Sequence, residues 1–324
     1  MPANRAGLYT IKPTIGLIST DGIVPASDFS DTAGPLAKSV QDLADLLQIM
    51  VDPAMWNHVP EGGYRSSITS SWAGLKVGFL APHEWPQNED ISGPDAMFNE
   101  EQQAAVEAAY KKIEAAEVEA AYPVWLKGTA ELNIEGESAL NGLWQGNLNR
   151  LITDHLSSFE QVAVQSLKDI VGFNLGYSVA QLPAGINQQY FLDSLNKDWS
   201  KHRSEEVLRY CRHAAGTEGI DHVMQKHGID VIIGPADSDL DEMLSASGYP
   251  AVTLPLGVYS GNGRPFGLLA IASKFQEALL VRVASAWEAL FPNRPTPNGI
   301  LMREAMDRQD GWVQNSVEMK EGPY

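Results

Sequence analysis

Residues Gly7 to Ala44 read G-L-Y-T-I-K-P-T-I-G-L-I-S-T-D-G-I-V-P-A-S-D-F-S-D-T-A-G-P-L-A-K-S-V-Q-D-L-A, and this stretch carries the most specific information about the fold. Glycine and proline punctuate its apolar residues from the first positions, which is typical of the interior of a packed domain. Pro35 suits the first position of a helix, because the amide hydrogen that proline lacks would have no partner there. We therefore predict a helix that begins at Pro35 and ends before Asp52-Pro53. Its apolar face, at helical spacing, is Leu36, Val40, Leu43, Ala44, Leu47 and Met50.

A strand–helix–strand unit follows along the chain. Leu75–Leu80 is a short apolar run that predicts a strand, and Val118–Val124 predicts a second one. Between them, residues 95–117 have apolar side chains at helical spacing. Such a unit implies two parallel strands joined by a right-handed crossover.

Apolar runs near the C-terminus predict three further strands, Ile229–Ile233, Ala251–Leu254 and Phe266–Ala272. The first ends at Gly234-Pro235, and a glycine-containing turn joins the other two. Ser273 and Gln276 have the spacing of a capping box, in which the hydroxyl and the amide each satisfy a backbone N–H of a starting helix. We therefore predict that the last helix starts at Ser273.

The order of these elements predicts an α/β fold. No repeat or linker divides the sequence, so residues 1–324 are predicted to form a single domain. Past Asn293 the composition becomes polar and proline-containing. Residues 293–324 are therefore predicted to form an irregular C-terminal tail.

The net charge and the cysteine count limit the partners and the cellular location that we predict. The chain has 23 Lys and Arg against 41 Asp and Glu, a formal net charge of -18. Such a surface repels phosphate backbones and anionic lipid, so we predict no nucleic-acid partner and no membrane partner. The one cysteine, Cys211, can form no intramolecular disulfide, and we predict a cytoplasmic protein. It could be a nucleophile near His213, but a buried structural thiol is the favoured interpretation.

Metal and nucleotide motifs are absent from the sequence. Asp237, Asp239 and Asp241 begin like a calcium loop, but Glu242 stands where glycine is needed and Gly248 where the bidentate glutamate is needed. No phosphate-binding G-x-x-x-x-G-K-[ST], no G-x-G-x-x-G after a strand and no G-x-S-x-G occurs. We predict neither a metal nor a cofactor.

The stretch from Gly7 to Ala44 strongly resembles the second half of the amidase signature, G-L-x-G-x-K-P-T-x-G-x-x-S, then P and S-x-D-x-x-G-P, then an apolar helix. The later runs G-I-D-V-I-I-G-P, S-G-Y-P-A-V-T-L-P-L-G and G-R-P-F-G-L-L-A-I-A are similar to the closing strands of that family. The chain looks closest to standalone amidases related to the A subunit of the glutamyl-tRNA amidotransferase. The resemblance implies one large mixed β-sheet flanked by helices, here lacking its N-terminal portion.

The resemblance also implies a chemistry. The family cleaves carboxamide C–N bonds, or transfers across them, with a serine nucleophile that a second serine on a cis peptide and a neutral lysine activate. That nucleophile belongs to a loop G-G-S-[IV]-R-x-P-A, whose last two residues match Pro2-Ala3. The serine is then expected four residues before Pro2, and the other two groups further upstream. We therefore predict no catalytic residue in the chain and no activity of the chain alone; the alternative is a non-catalytic binding or accessory protein of the pseudo-amidase type.

Within the chain, the resemblance assigns scaffold roles to Gly7, Lys12, Pro13, Thr14, Asp31, Gly34 and Pro35. Lys12 is expected to stay protonated and non-catalytic unless it is deeply buried. The serine that the family places two residues before the aspartate is replaced by Phe29, and Thr10 replaces the second glycine of G-L-x-G. These departures leave Asp31 with the shaping of a turn as its expected role.

A substrate pocket is expected beyond the strand that ends at residue 233, because open α/β sheets bind ligands at the carboxyl ends of their strands. Its candidate residues are Gly234, Pro235, Asp237, Asp239 and Gly248. Two interpretations of the aspartates stay open: acids that favour a cationic or polar substrate, or solvated loop acids. The predicted partners are a small-molecule amide and, because sheet edges would be exposed, a second copy or another chain covering them.

Overall fold

The computed structural model describes residues 2–89, 95–129, 132–177, 182, 186–197 and 199–296. Its strands are β1 Tyr9–Lys12, β2 Leu36–Ala37, β3 Lys76–Leu80, β4 Glu119–Val124, β5 Asn133–Ile134, β6 Glu137–Ser138, β7 Val231–Pro235, β8 Ala251–Val258 and β9 Pro265–Ile271. Its α-helices are α1 Pro2–Arg5, α2 Val40–Met50, α3 Ala96–Glu114, α4 Ala139–Ser157, α5 Leu167–Gly176, α6 Gln189–Asn196, α7 Lys201–Cys211, α8 His222–His227, α9 Leu240–Ser247 and α10 Glu277–Leu290. Short 3-10 turns are Pro53–His58, Tyr64–Ser67 and Pro82–Glu84, and a wide π-type helical segment, Arg212–Asp221, joins α7 to α8.

Two sequence-based expectations concern membrane-spanning helices and the C-terminal tail. Among the described helices, none has the length and apolar character needed to cross a membrane. Residues 293–296 form neither helix nor strand, and the rest of the predicted tail lies outside the described residues.

The described part of the chain forms one mixed sheet with the strand order β2-β1-β8-β9-β7-β3-β4. Strand β3 runs parallel to both β4 and β7, and the other neighbouring pairs are antiparallel. The strand–helix–strand unit predicted from periodicity is therefore confirmed as β3–α3–β4. A separate two-stranded hairpin is formed by β5 and β6.

Helices cover both faces of the sheet, and β7 shows why its sequence is apolar throughout. Val231 and Ile233 belong to the core that α2, α3 and α10 cover, whereas Ile232 belongs to the core that α4, α7 and α9 cover. Successive side chains of a strand point to opposite faces, so a strand buried on both faces has no polar alternation. This arrangement confirms the predicted α/β fold with a large mixed sheet flanked by helices.

The predicted start of the first long helix at Pro35 is wrong. Leu36–Ala37 forms strand β2 beside β1, and helix α2 begins at Val40, where the Ser39 hydroxyl accepts from the amide of Asp42 at 3.1 Å. The reason is a close approach just before the strand, since a Cβ on Gly34 would lie 2.1 Å from the carbonyl oxygen of Ile11. Because of that contact, Leu36–Ala37 pairs with β1 as a strand, and the helix starts only at Val40.

The predicted capping box at Ser273 is also wrong. Helix α10 begins four residues later at Glu277, and the Ser273 hydroxyl donates instead to the Asp221 carboxylate at 2.6 Å. Phe275 has a φ of +63°, in the left-handed region that interrupts a helix. The Thr14 hydroxyl accepts from the amide of Phe275 at 2.9 Å, so a distant part of the chain shapes this turn.

Candidate functional site

A cavity of about 280 Å³ brings the two ends of the sequence together. Asn4 and Lys12 line it from the N-terminal side, and Asp237 and Asp241 line it from the segment after β7. Motif residues that are more than two hundred positions apart thus share one wall. The strand order explains this, because β1 pairs with β8 and the hairpin β8–β9 pairs with β7.

Lys12 ends strand β1 and is held by backbone carbonyls. Its Nζ donates to the carbonyl oxygen of Tyr249 at 2.8 Å and to that of Pro13 at 3.1 Å. Burial, together with the positive charge of Arg212, lowers the pKa of Lys12 to about 7, against the opposing effect of Glu277. Burial is the one condition under which the sequence allowed a neutral Lys12, and the structure meets that condition.

Thr14 joins the K-P-T turn to the start of α10. Its amide donates to Oε1 of Glu277 at 2.7 Å, and its hydroxyl accepts from Phe275. Both Thr14 and Glu277 are fully buried. The turn that carries Lys12 is therefore held by one hydrogen bond to the first residue of α10 and by a second to the turn before that helix.

Asp31 accepts two backbone hydrogen bonds within the loop between β1 and β2. Its Oδ2 accepts from the amide of Ala26 at 2.8 Å and from the amide of Ser27 at 2.9 Å. Nearby, the Thr10 hydroxyl donates to the carbonyl of Pro35 at 2.7 Å. These contacts close the loop between β1 and β2 on itself, beside the cavity.

Asp237 is an internal acid and not a solvated one. It is 4% exposed, and its Oδ2 accepts from Nε of Arg5 at 2.8 Å. Asp241 lies one helical turn further, at the start of α9, where burial first and the neighbouring Asp237 next raise its pKa to about 6. Burial has this effect because it disfavours the charged form of a carboxyl group.

The other predicted pocket residues do not line this cavity. Gly234 and Pro235 are buried inside β7, where a Cβ on Gly234 would lie 2.6 Å from a methyl carbon of Leu80. Asp239 is exposed, and its Oδ1 accepts from the side-chain amide of Asn88 at 2.8 Å. Gly248 lines a different cavity of about 720 Å³.

Arg212, which lines that larger cavity, was not among the residues named from the sequence. Arg212 donates from Nη1 to the carbonyls of Ser245 and Ala246 at 2.8 and 2.7 Å, and from Nη2 to the carbonyl of Phe29. Carbonyl partners carry no sequence signal, so the arginine could not have been recognised from its neighbours in the chain. Cys211 is fully buried, and burial raises the pKa of its thiol to about 11, which favours the structural interpretation of this cysteine.

Metal ligation finds no support in the described residues. No three His, Cys, Asp or Glu side chains in that part of the chain come together as ligands of one ion would. The carboxylate of Asp237 accepts a hydrogen bond from the guanidinium of Arg5, and Asp239 lines a different cavity from the one that Asp237 and Asp241 line.

The fold of the chain is that of amidase-signature proteins. The peptide amidase of Stenotrophomonas maltophilia superposes with a TM-score of 0.76 at 25% identity, over 92% of this chain and 61% of that enzyme. An amidase family protein of Bacillus anthracis gives the same TM-score at 23% identity, over 92% and 56%. These similarities show the shared fold.

The sequence assigns the family directly. The family model described as Amidase matches residues 1–236, and the chain belongs to this family. A Schizosaccharomyces pombe protein named as an amidase is 27% identical over 91% of this chain and 55% of its own length. The A subunit of the glutamyl-tRNA(Gln) amidotransferase of Chromobacterium violaceum is 25% identical over 89% and 61%. The resemblance seen in the two motif regions is confirmed, and the chain spans little more than half the length of these relatives.

The lowered pKa of Lys12 predicts that the stability of the folded chain depends on pH. Its pKa is about 7 in the folded chain against an ordinary 10.5, so above pH 7 the unfolded state binds more protons than the folded state. The free energy of unfolding is therefore expected to rise with pH from about pH 7, by at most about 1.4 kcal/mol per pH unit. Urea denaturation between about pH 6 and 8.5 measures the slope.

Lys12→Met is the control for this pH dependence. Methionine keeps an unbranched side chain in the same space but does not titrate. The difference in unfolding free energy between the wild type and the variant is expected to change with pH only above about pH 7. A difference that is flat across the range would show that Lys12 keeps its ordinary pKa in the folded protein.

Proposed function

We propose that this chain forms one side of an amidase active site that acts on carboxamide C–N bonds of a small molecule. The observation that carries the proposal is the position of Asn4 on the wall of the 280 Å³ cavity. Asn4 follows the Pro2-Ala3 pair that matches the end of the family's serine loop. A serine that precedes Pro2 by four residues would lie within reach of the same cavity as Lys12 and Asp237.

We further propose that the 324-residue chain alone does not hydrolyse amides. Serine-dependent hydrolysis needs an activated hydroxyl and backbone donors for the oxyanion, which the family takes from a G-G-S-[IV]-R loop. That motif does not occur in the sequence. Neither resident candidate replaces it, because Lys12, with a pKa lowered to about 7, is a base without the serine hydroxyl and the oxyanion donors of that loop, and Cys211 is a buried thiol with a raised pKa.

Turnover of an aryl amide by the purified 324-residue chain tests this directly. No release of the arylamine above the buffer rate is expected, and a fluorophosphonate probe is expected to label no serine. A longer protein that includes in-frame upstream sequence with G-G-S-x-R is expected to gain both activities. Hydrolysis or labelling by the 324-residue chain would refute the proposal, whereas an upstream sequence without that motif, together with a co-purifying partner, would favour an accessory role.

We also propose that the sheet edges pair with another chain and that the protein is cytoplasmic. Strand β4 ends one side of the sheet with most of its residues exposed, and Leu36 of β2 is 49% exposed at the other side. Exposed edges of this kind support pairing with a second copy or with another chain. The single cysteine supports a cytoplasmic location, where thiols stay reduced.

A further inference from the structure

We infer that the 720 Å³ cavity binds a small anion that carries an apolar body, such as a carboxylate or phosphate monoester on an aryl or alkyl group. This inference concerns a second cavity, distinct from the one that holds Lys12 and Asp237. Its volume falls within the range of small-molecule sites in proteins. It stands independently of the proposed amidase activity, since its test measures binding and not turnover.

The charge of the cavity wall is opposite to that of the protein. Three permanently or normally cationic side chains line it, Arg209, Arg212 and Lys274, against one carboxylate, Glu205. The whole chain carries a net charge of -18. A concave surface on which one sign of charge predominates concentrates ligands of the opposite sign, and the excess of cations here favours anions.

Two of these cations come from distant elements and have no acidic partner. Arg209 lies on α7 and Lys274 lies in the turn before α10, so the fold and not local sequence brings them to one cavity. Among the described residues, neither forms an ion pair with a carboxylate, and Lys274 lies over the ring of Phe275 at 5.0 Å. Glu205 pairs weakly with Lys201, at 4.0 Å.

Arg212 gives this wall a fixed shape. Its guanidinium is directed to the carbonyls of Ser245 and Ala246, on the last turn of α9, and a Cβ on Gly248 would lie 2.8 Å from the guanidinium carbon. Arg212 therefore builds the wall, while Arg209 and Lys274 are left to meet a ligand. A preformed wall reduces the ordering cost of binding.

Apolar side chains between the cations define the rest of the ligand. Ile15 and Leu208 line the cavity beside the ring of Tyr249. A bare inorganic ion would leave this apolar surface in contact with water, whereas an aryl or alkyl body would cover it. The site thus favours an amphipathic anion over a hydrophilic one.

Calorimetric titration of the 324-residue chain with 4-phenylbutyrate, 4-phenylbutan-1-ol and inorganic phosphate tests the inference. The carboxylate is expected to bind at least about tenfold tighter than the alcohol, which has the same apolar body without the charge. It is also expected to bind tighter than phosphate, and more weakly as salt rises. Equal affinity for the alcohol, tightest binding of phosphate, or no binding of 4-phenylbutyrate at about 10 mM would overturn the inference.

Two double variants locate the binding. Arg209→Gln with Lys274→Gln is expected to weaken 4-phenylbutyrate binding about tenfold, because it removes both unpaired cations. Lys38→Gln with Lys111→Gln removes the same charge from exposed positions that do not line the cavity, and is expected to leave the affinity unchanged. All four side chains are exposed, so both variants are expected to fold, with melting temperatures as the check. Equal losses in the two double variants would assign the effect to net charge and overturn the site.

Discussion

Replacing Glu277 by alanine is expected to lower the free energy of unfolding by about 2–3 kcal/mol. The Glu277 side chain is fully buried, and its Oε1 accepts from the amide of Thr14 at 2.7 Å. The substitution leaves that amide without its acceptor in a buried place, and it removes a negative charge that favours the charged form of Lys12. Urea denaturation at pH 7 measures the loss.

Two further variants separate the causes of this loss. Glu277→Gln keeps a side-chain oxygen for the Thr14 amide and removes only the charge, so it is expected to cost about half as much. Glu288→Ala is the matched control, because Oε1 of Glu288 accepts from the amide of Val40 at 3.0 Å on the same helix but at a half-buried position. It is expected to cost about 1 kcal/mol. A loss at Glu277→Ala no larger than at Glu288→Ala would contradict the anchoring role of Glu277.

The unit β3–α3–β4 could be predicted from sequence because its signals are local. Apolar spacing alone marks both strands and the helix between them, and the structure places them within a few residues of the prediction. The order of strands in the sheet has no such signal. It depends on pairings such as Ile11 with Val252, between residues far apart in the chain.

The two wrong helix starts share a physical cause. At Pro35 and at Ser273, sequence patterns that favour a helix are overridden by contacts with distant residues. The contact is the close approach of Gly34 to Ile11 in the first case and the hydrogen bond to Asp221 in the second. Tertiary contacts of this kind routinely outweigh local propensity, which is worth less than about 1 kcal/mol per residue.

The candidate site was predictable in part. Lys12 and Asp237 could be named from motif and strand position, and they share a cavity in the structure. The aspartate-rich run does not show which of its acids are buried. Asp237 is buried, whereas Asp239 lies outside that cavity, because alternate positions near the start of a helix face different ways. Arg5 forms an ion pair with Asp237, and only the fold identifies it as that partner.

Arg212→Ala is expected to lower the free energy of unfolding by about 3–4 kcal/mol. The guanidinium bridges three carbonyls, those of Ser245 and Ala246 on α9 and that of Phe29 in the loop between β1 and β2. Hydrogen bonds from a charged donor are each worth more than neutral ones, and the half-buried position reduces their sum. Denaturation of the variant measures the loss.

A second readout distinguishes this arginine from an ordinary structural residue. Arg212 lowers the pKa of Lys12 by charge repulsion, so Arg212→Ala is expected to raise that pKa and to move the onset of the pH-dependent rise in stability above pH 7. Arg212→Lys keeps the charge, but one ammonium cannot reach three carbonyls in the geometry of a guanidinium fork. It is expected to lose stability while the onset stays near pH 7. Wild-type stability of Arg212→Lys would contradict the role of the three carbonyl contacts, and an unchanged onset in Arg212→Ala would contradict the effect of Arg212 on the pKa of Lys12.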